Sequence, residues 1–381
     1  MLSGRAMQPT RRCVPFLACA WLFAGCASTP TAPSTPTAQS GDTTSPPVVG
    51  ASPASSSPTA TPGPGPSPAR AAGHRRCGWI GGGDSAGADA FVAHADWYDA
   101  IHPDWYALDG DGVSLRPVSG DDGAALVSAA RAHGVKLIPL VTAVEDIGPL
   151  RATLADPQRR VRHAQALADL AVTHGYDGLD LDYEKLWDAA DRAGYTALIE
   201  EAASRLHAAG KQLSIAVPGL PDRKMLNGYD LEALVAVVDH IHVMGYDFHT
   251  VGTHGGPLAP LGWLEAVLAR ADATGAPEKF ILGLPNYGVT TSWFTTLGDA
   301  LRLCGASYST VDDHMASCDY GHYAAGRTPH CSTAHGELYF EDLGSLEDKL
   351  KLAARYKLAG VGYWTVGSEP DGFRALVGKY F

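Results

Sequence analysis

The run "GYDGLDLDYE", residues 175–184, sets Asp177, Asp180, Asp182 and Glu184 among residues that suit a buried strand. Side chains alternate along a strand, so Asp180, Asp182 and Glu184 share one face while Leu179, Leu181 and Tyr183 share the other. Successive acids on that face stand about 6–7 Å apart. At this spacing, and buried, Asp180 and Asp182 are expected to titrate as a coupled pair sharing a proton. Glu184 lies next along the face, its own ionisation opposed, and a carboxyl with a raised pKa is what a general acid needs at neutral pH. Two blander readings fit the same run: a D-x-D metal site, and a structural polar network.

A second cluster is "DHIHVMGYDFHTVGTH", residues 239–254. His240, His242, Met244 and Tyr246 fall on one strand face. A metal reading of the histidines lacks a well-spaced third ligand, so no metal is expected. His242 suits an interior hydrogen bond, and His249 and His254 suit an exposed loop.

The elements that must position these groups follow from punctuation. Short apolar β-rich runs recur near Trp79 and at 104–108, 135–142, 178–184, 212–218, 240–246, 280–285 and 360–366. Segments with apolar residues at i, i+3, i+4 lie between them. Gly134, Gly175, Gly210 and Gly360 stand where helices should end in the left-handed conformation. Eight strand–helix units of this kind predict a parallel (β/α)8 TIM barrel of the α/β class, with the acidic face inside and Glu184 at the C-terminal rim. An open doubly wound sheet is disfavoured, because "CGWIGGGD" lacks the G-x-G-x-x-G order. Residues 287–338 show little periodicity and read as a long irregular loop after the seventh strand.

The 381-residue chain divides into three parts. Residues 1–25 combine a basic start, a short apolar run and small residues, which reads as a signal peptide. "LFAGC" resembles a bacterial lipobox, with Phe23 where Leu is usual, and makes Cys26 a lipidation candidate anchoring the chain to a membrane. Simple secretion is the alternative. Residues 27–72 are almost wholly Ser, Thr, Pro, Ala and Gly, a composition expected to remain a disordered tether. Residues 76–381 form the globular part. The net charge of −12 argues against a nucleic-acid partner. Cys77, Cys304, Cys318 and Cys331 suggest disulfides in an exported protein, with three pairings open.

"YDGLDLDYE" is similar at every defining position to the D-G-x-D-x-D-x-E signature of family 18 glycoside hydrolases, the chitinases and their relatives. "VMGYDFH", "GGPLAPLGW", "LGLPNYG" and the closing segment through "GVGYWTVGSE" resemble the family's further landmarks in order. The resemblance implies a retaining, substrate-assisted hydrolysis beside N-acetylglucosamine, without a cofactor. Glu184 would protonate the glycosidic oxygen while the sugar's own acetamido oxygen attacks the anomeric carbon. Asp182 would orient the acetamido N–H with Asp180 behind it, and Tyr246 would donate its hydroxyl to the acetamido oxygen. Asp247 and Met244 would contact the sugar, and Trp364 would floor the subsite. Tyr106 and Tyr287, with Trp187 and Trp293, are further stacking candidates at the mouth. The third strand, "KLIPLVTAVED", lacks the S-x-G-G of the best-known chitinases. It looks more like the spore-cortex and peptidoglycan N-acetylglucosaminidase branch, as would a barrel without a recognisable α+β insertion. Chitin and peptidoglycan both stay open as the polysaccharide partner. The family also has lectin-like members, so an inactive glycan-binding barrel is the alternative.

Overall fold

The structure, a computed structural model, describes residues 75–118, 123–219, 227–253, 255–305, 309–312 (backbone only) and 326–381. The expected signal peptide, the Cys26 lipidation, the 27–72 tether, His254 and Cys318 lie outside the described residues.

Eight parallel strands form a closed ring: β1 (Arg75–Ile80), β2 (Ala100–Leu108), β3 (Leu140–Ala143), β4 (Gly178–Tyr183), β5 (Gln212–Pro218), β6 (His240–Met244), β7 (Phe280–Pro285) and β8 (Gly360–Trp364). Each pairs with the next, and β1 pairs with both β2 and β8, which closes the barrel. The helices that cover it are α1 (Ser85–Ala93), α2 (Gly123–His133), α3 (Gly148–Ala155), α4 (Pro157–His174), α5 (Ala189–Ala208), α6 (Leu231–Val237) and α7 (Leu261–Asp272). Beyond β7 come α8 (Leu297–Cys304), α9 (Leu343–Arg355) and, after β8, α10 (Phe373–Val377). The (β/α)8 expectation is met.

The alternation on β4 works as its sequence requires. Leu179, Leu181 and Tyr183 are fully buried in the layer between strands and helices, with Leu213, Ile215, Ile241, Val243, Leu282 and Val361. Each such side chain stabilises the fold by about 1.5–3 kcal/mol, which fixes the strand's register and turns the acids inward.

Several boundaries differ from expectation. The single strand expected over 135–142 is broken into Lys136–Leu137 and β3, because Pro139 between them has no N–H to give the ladder. Gly134, Gly175 and Gly210 do take positive φ at helix ends. Gly360 does not: it lies inside β8, where a Cβ would meet the Arg75 carbonyl oxygen at 2.0 Å, and Lys357 takes the left-handed turn at φ 56°.

Over its described residues the 287–338 segment is a folded α+β insertion, not an irregular loop. Its antiparallel sheet has the order Phe294–Thr296, Tyr287–Val289, Gly336–Tyr339, Arg327–Thr333, Ser309–Asp312. These strands are mostly three or four residues long, too short for an alternation to be read from sequence. A Cys304–Cys331 disulfide ties α8 to the sheet. Cys77, expected in a disulfide, is a free thiol: the alternation of β1 turns it inward, among Ala100, Ile138 and Ile281.

Candidate active site

Asp180 has no exposed surface and lies at the centre of the barrel. Three other strands send it a hydrogen-bond partner, and a fourth brings His102 close. Trp79 Nε1 of β1 donates to Asp180 Oδ2 at 3.1 Å, and Ser214 Oγ of β5 donates to Oδ1 at 2.8 Å. His242 Nδ1 of β6 stands 2.9 Å from Oδ2, and His102 Nδ1 of β2 lies 3.3 Å from the same atom. Burial alone would raise this carboxyl's pKa, but His242 and the surrounding hydrogen bonds win and hold it well below the usual range. Burial lowers the His102 pKa to about 3, so that ring is neutral and contributes its dipole, not a charge.

Asp182 is the opposite case. Burial first, then the charges of Glu184, Asp180 and Asp104, push its pKa well above the ordinary value. Of the two, Asp180 therefore favours the charged form and Asp182 the protonated one. Asp182 Oδ1 is buried without a hydrogen-bond partner among the described residues. Glu184 follows β4 directly and keeps part of its surface open to solvent. Its pKa is raised to about 7, chiefly by burial and next by the Asp247 charge, with Lys185 pulling the other way.

Tyr246 follows β6 by two residues. Burial, then Asp247, Asp182 and Glu184, raise its pKa well above the ordinary value, so it stays a hydroxyl donor. Its ring stands edge-on to Tyr287 at 6.1 Å, and the Tyr287 hydroxyl donates to Asp247 Oδ1. Met244 and Trp364 end their strands half-buried, each paired to β7, at Gly283 and Pro285. Asn286 fixes the chain at Trp364 through two hydrogen bonds, its N–H to Trp364 O at 2.7 Å and Nδ2 to Thr365 O at 2.8 Å. Gly283 leaves room for the site: a Cβ there would stand 3.1 Å from the Tyr246 ring and 3.6 Å from Trp79.

Backbone strain concentrates here as well. Lys185 and Asp247, immediately after Glu184 and Tyr246, hold φ of 60° and 63°. Non-glycine residues in this region persist where surrounding structure over-determines them, commonly at functional sites.

Tyr106 is placed elsewhere. A register shift in β2 between Asp104 and Tyr106 turns it to the helix layer, where its hydroxyl meets Tyr176 Oη at 2.8 Å. Trp293 stacks on His335 in the insertion at 4.8 Å. His249, expected in an exposed loop, is half-buried against Phe248. Sequence reasoning missed Trp79, His102, Ser214 and Asp104. Asp104 is a fourth carboxyl near Asp182, its pKa raised by burial to about 6. A polar alternation, His102 then Asp104, was the available signal on β2.

A carboxyl whose pKa is raised to about 7, an unpartnered carboxyl oxygen and a tyrosine hydroxyl, near enough to act on one another's ionisation, thus lie at the C-terminal ends of β4 and β6. Such a set can protonate a leaving oxygen while gripping a polar substituent of the same substrate. The model of the glycosyl hydrolases family 18 matches residues 124–369. The chain is 30% identical over 240 residues to a Bacillus subtilis protein named as a sporulation-specific glycosylase, YdhD, covering 60% of this chain and 56% of that one. It is 26% identical over 230 residues to the cortical fragment-lytic enzyme of the same organism, covering 57% of this chain and 52% of that one. The chain thus spans little more than half the length of these two relatives. The fold resembles a class V chitinase from Pseudomonas fluorescens Pf-5 with a TM-score of 0.71 at 24% identity, covering 80% of this chain and 98% of that one.

Proposed function

Because this chain belongs to the family 18 glycosyl hydrolases, we propose that it cleaves β-1,4 bonds beside N-acetylglucosamine in chitin or peptidoglycan glycan strands, with retention and with the substrate's acetamido group as nucleophile. Substrate assistance is the family's exception to the two-carboxylate scheme. The observation that carries this reading is Asp182 Oδ1, buried and without a hydrogen-bond partner among the described residues, on a carboxyl whose charge acts on Tyr246 and which feels that of Glu184. In the proposed reaction Glu184 gives its proton to the glycosidic oxygen as that bond breaks. The acetamido oxygen closes on the anomeric carbon, and Asp182 and Tyr246 hold the acetamido group in position. Positive charge grows on that group, and the Asp180 carboxylate beneath opposes it, a contribution larger in the transition state than before it. Water then opens the ring with Glu184 acting as base.

Two relatives named for sporulation and cortex lysis support a peptidoglycan strand, and the chitinase-like fold supports chitin. The basic, apolar and small-residue N-terminal pattern supports export, with Cys26 lipidated. Digestion of chitooligosaccharides and of purified peptidoglycan, with mass analysis of the new reducing ends, tests the reaction and identifies the polymer. Glu184→Gln is expected to lose about 10²–10⁴-fold in kcat with little change in binding. Sugar affinity with no product from the unaltered chain would instead establish the glycan-binding alternative, and turnover abolished by a chelator while the fold is kept, then restored by a divalent ion, a metal-dependent one.

A further inference from the structure

Chemistry-bearing groups also converge beneath the acidic ladder, in the floor of the barrel. A cavity there is lined by Cys77 of β1, His102 of β2, Gln212 of β5 and His240 and His242 of β6, with the charged Arg75 and Asp239 also in its wall. Cys77, His102 and His242 are buried, and one ligand atom from each lies within 4.8 Å of the others. A tetrahedral Zn²⁺ sets sulfur and nitrogen donors about 3.3–3.7 Å apart, so movements of about 1 Å would close the three onto one ion. No sequence spacing announces this set, because each ligand comes from a different strand.

Three further observations point to a cation. His102 is 1% exposed, yet neither ring nitrogen completes a hydrogen bond. One faces Asp180 Oδ2 at 3.3 Å, and the Ile138 carbonyl also lies against the ring. Secondly, His242 meets the same carboxylate oxygen through Nδ1 at 2.9 Å, which leaves its Nε2 for another partner. A carboxylate behind an imidazole that faces a metal is the usual outer shell of a histidine metal site, fixing the tautomer and the ring. Thirdly, His240 and Gln212 line the same cavity, His240 Nδ1 and Gln212 Oε1 have no hydrogen-bond partner among the described residues, and both residues are half-buried at the N-terminal rim. They supply an entry route and polar contacts for a water in the fourth position.

We propose that the barrel floor is a structural metal site, taking a thiophilic divalent ion through Cys77, His102 and His242 with Asp180 behind the imidazoles. The mixed sulfur and nitrogen donors select Zn²⁺ over Mg²⁺ or Ca²⁺. The Cys77 thiolate would meet the ion directly and the Asp180 carboxylate from behind the imidazoles, and both offset the charge of the Arg75 guanidinium that also lines the cavity. Binding releases the thiol proton to solvent. The site shares Asp180 with the proposed hydrolase reaction, but its test needs no substrate and reads metal content and spectrum, not turnover.

The untagged full chain, purified without chelator and dialysed against metal-free buffer, is assayed for zinc and then titrated with Zn²⁺ and separately with Co²⁺. The site requires about one equivalent of Zn²⁺ per chain and a Tm raised by about 3–8 °C over the chelated protein. It also requires the near-ultraviolet thiolate-to-cobalt charge-transfer band of a sulfur-ligated Co²⁺. Cys77→Ser should abolish that band and weaken Zn²⁺ by at least about tenfold. Less than about a tenth of an equivalent with no cobalt band, or equal Zn²⁺ affinity in Cys77→Ser, overturns the proposal. Should the variant not fold, the cobalt spectrum of the unaltered chain decides.

Discussion

Glu184 keeps its proton near neutrality because burial and the Asp247 charge both oppose its ionisation. A general acid works while protonated, so kcat/KM is expected to fall by about tenfold per pH unit above about pH 7, measured on a soluble chitooligosaccharide. The same raised pKa, from an ordinary 4.5 to about 7, bears on stability. Below the lower value both folded and unfolded chains hold the proton and nothing is lost. Between the two values the unfolded chain releases it while the native chain resists, so stability falls as pH rises. Glu184→Gln lacks this penalty, and urea unfolding should find it more stable than the wild type by about 1–3 kcal/mol at about pH 8, with the gap closing near about pH 4. Crowding within the ladder was legible from residues 178–184 alone. Which acid holds the proton was not, since the donors that hold Asp180 ionised, Trp79, Ser214 and His242, come from three other strands.

The link that leads from the insertion into α9 is held to that helix by a buried ion pair, Lys349 Nζ to Glu341 Oε2 at 2.7 Å, with 2% and 0% of their side chains exposed. Removing one member of such a pair leaves the other's charge in a poor solvent. Lys349→Met is expected to cost about 3–5 kcal/mol in urea unfolding, and Lys349→Met with Glu341→Leu to recover most of it. Strand existence was readable wherever an apolar run ended in glycine or a polar cluster, as with "QLSIAVP" and "FILGLP", whose bounds the structure keeps. Two kinds of element were not. The insertion's short strands carry no period, and the displacement of Tyr106 arises from a register shift that depends on β3 pairing with β2.

At the scale of the molecule, every group placed in the site lies beyond Arg75, where β1 begins. A chain starting at residue 73 is therefore expected to keep kcat and KM on soluble oligosaccharides within about twofold of the full chain, by parallel steady-state assays. The eightfold count was visible in sequence because each unit is a local event of strand, helix and stop. Convergence was not, because a ring brings together residues that share no stretch of chain. The seam between β1 and β8, where Arg75 N–H donates to Ala359 O at 2.8 Å, has a kinetic meaning. The first barrel strand to leave the ribosome must wait for the last before its outer edge is satisfied, so a half-made polypeptide cannot lock into a finished cylinder. Until then both unpaired margins stay open to other chains, and a helper that shields Arg75–Ile80 should raise the yield of correctly folded molecules more than one acting anywhere else on the ring.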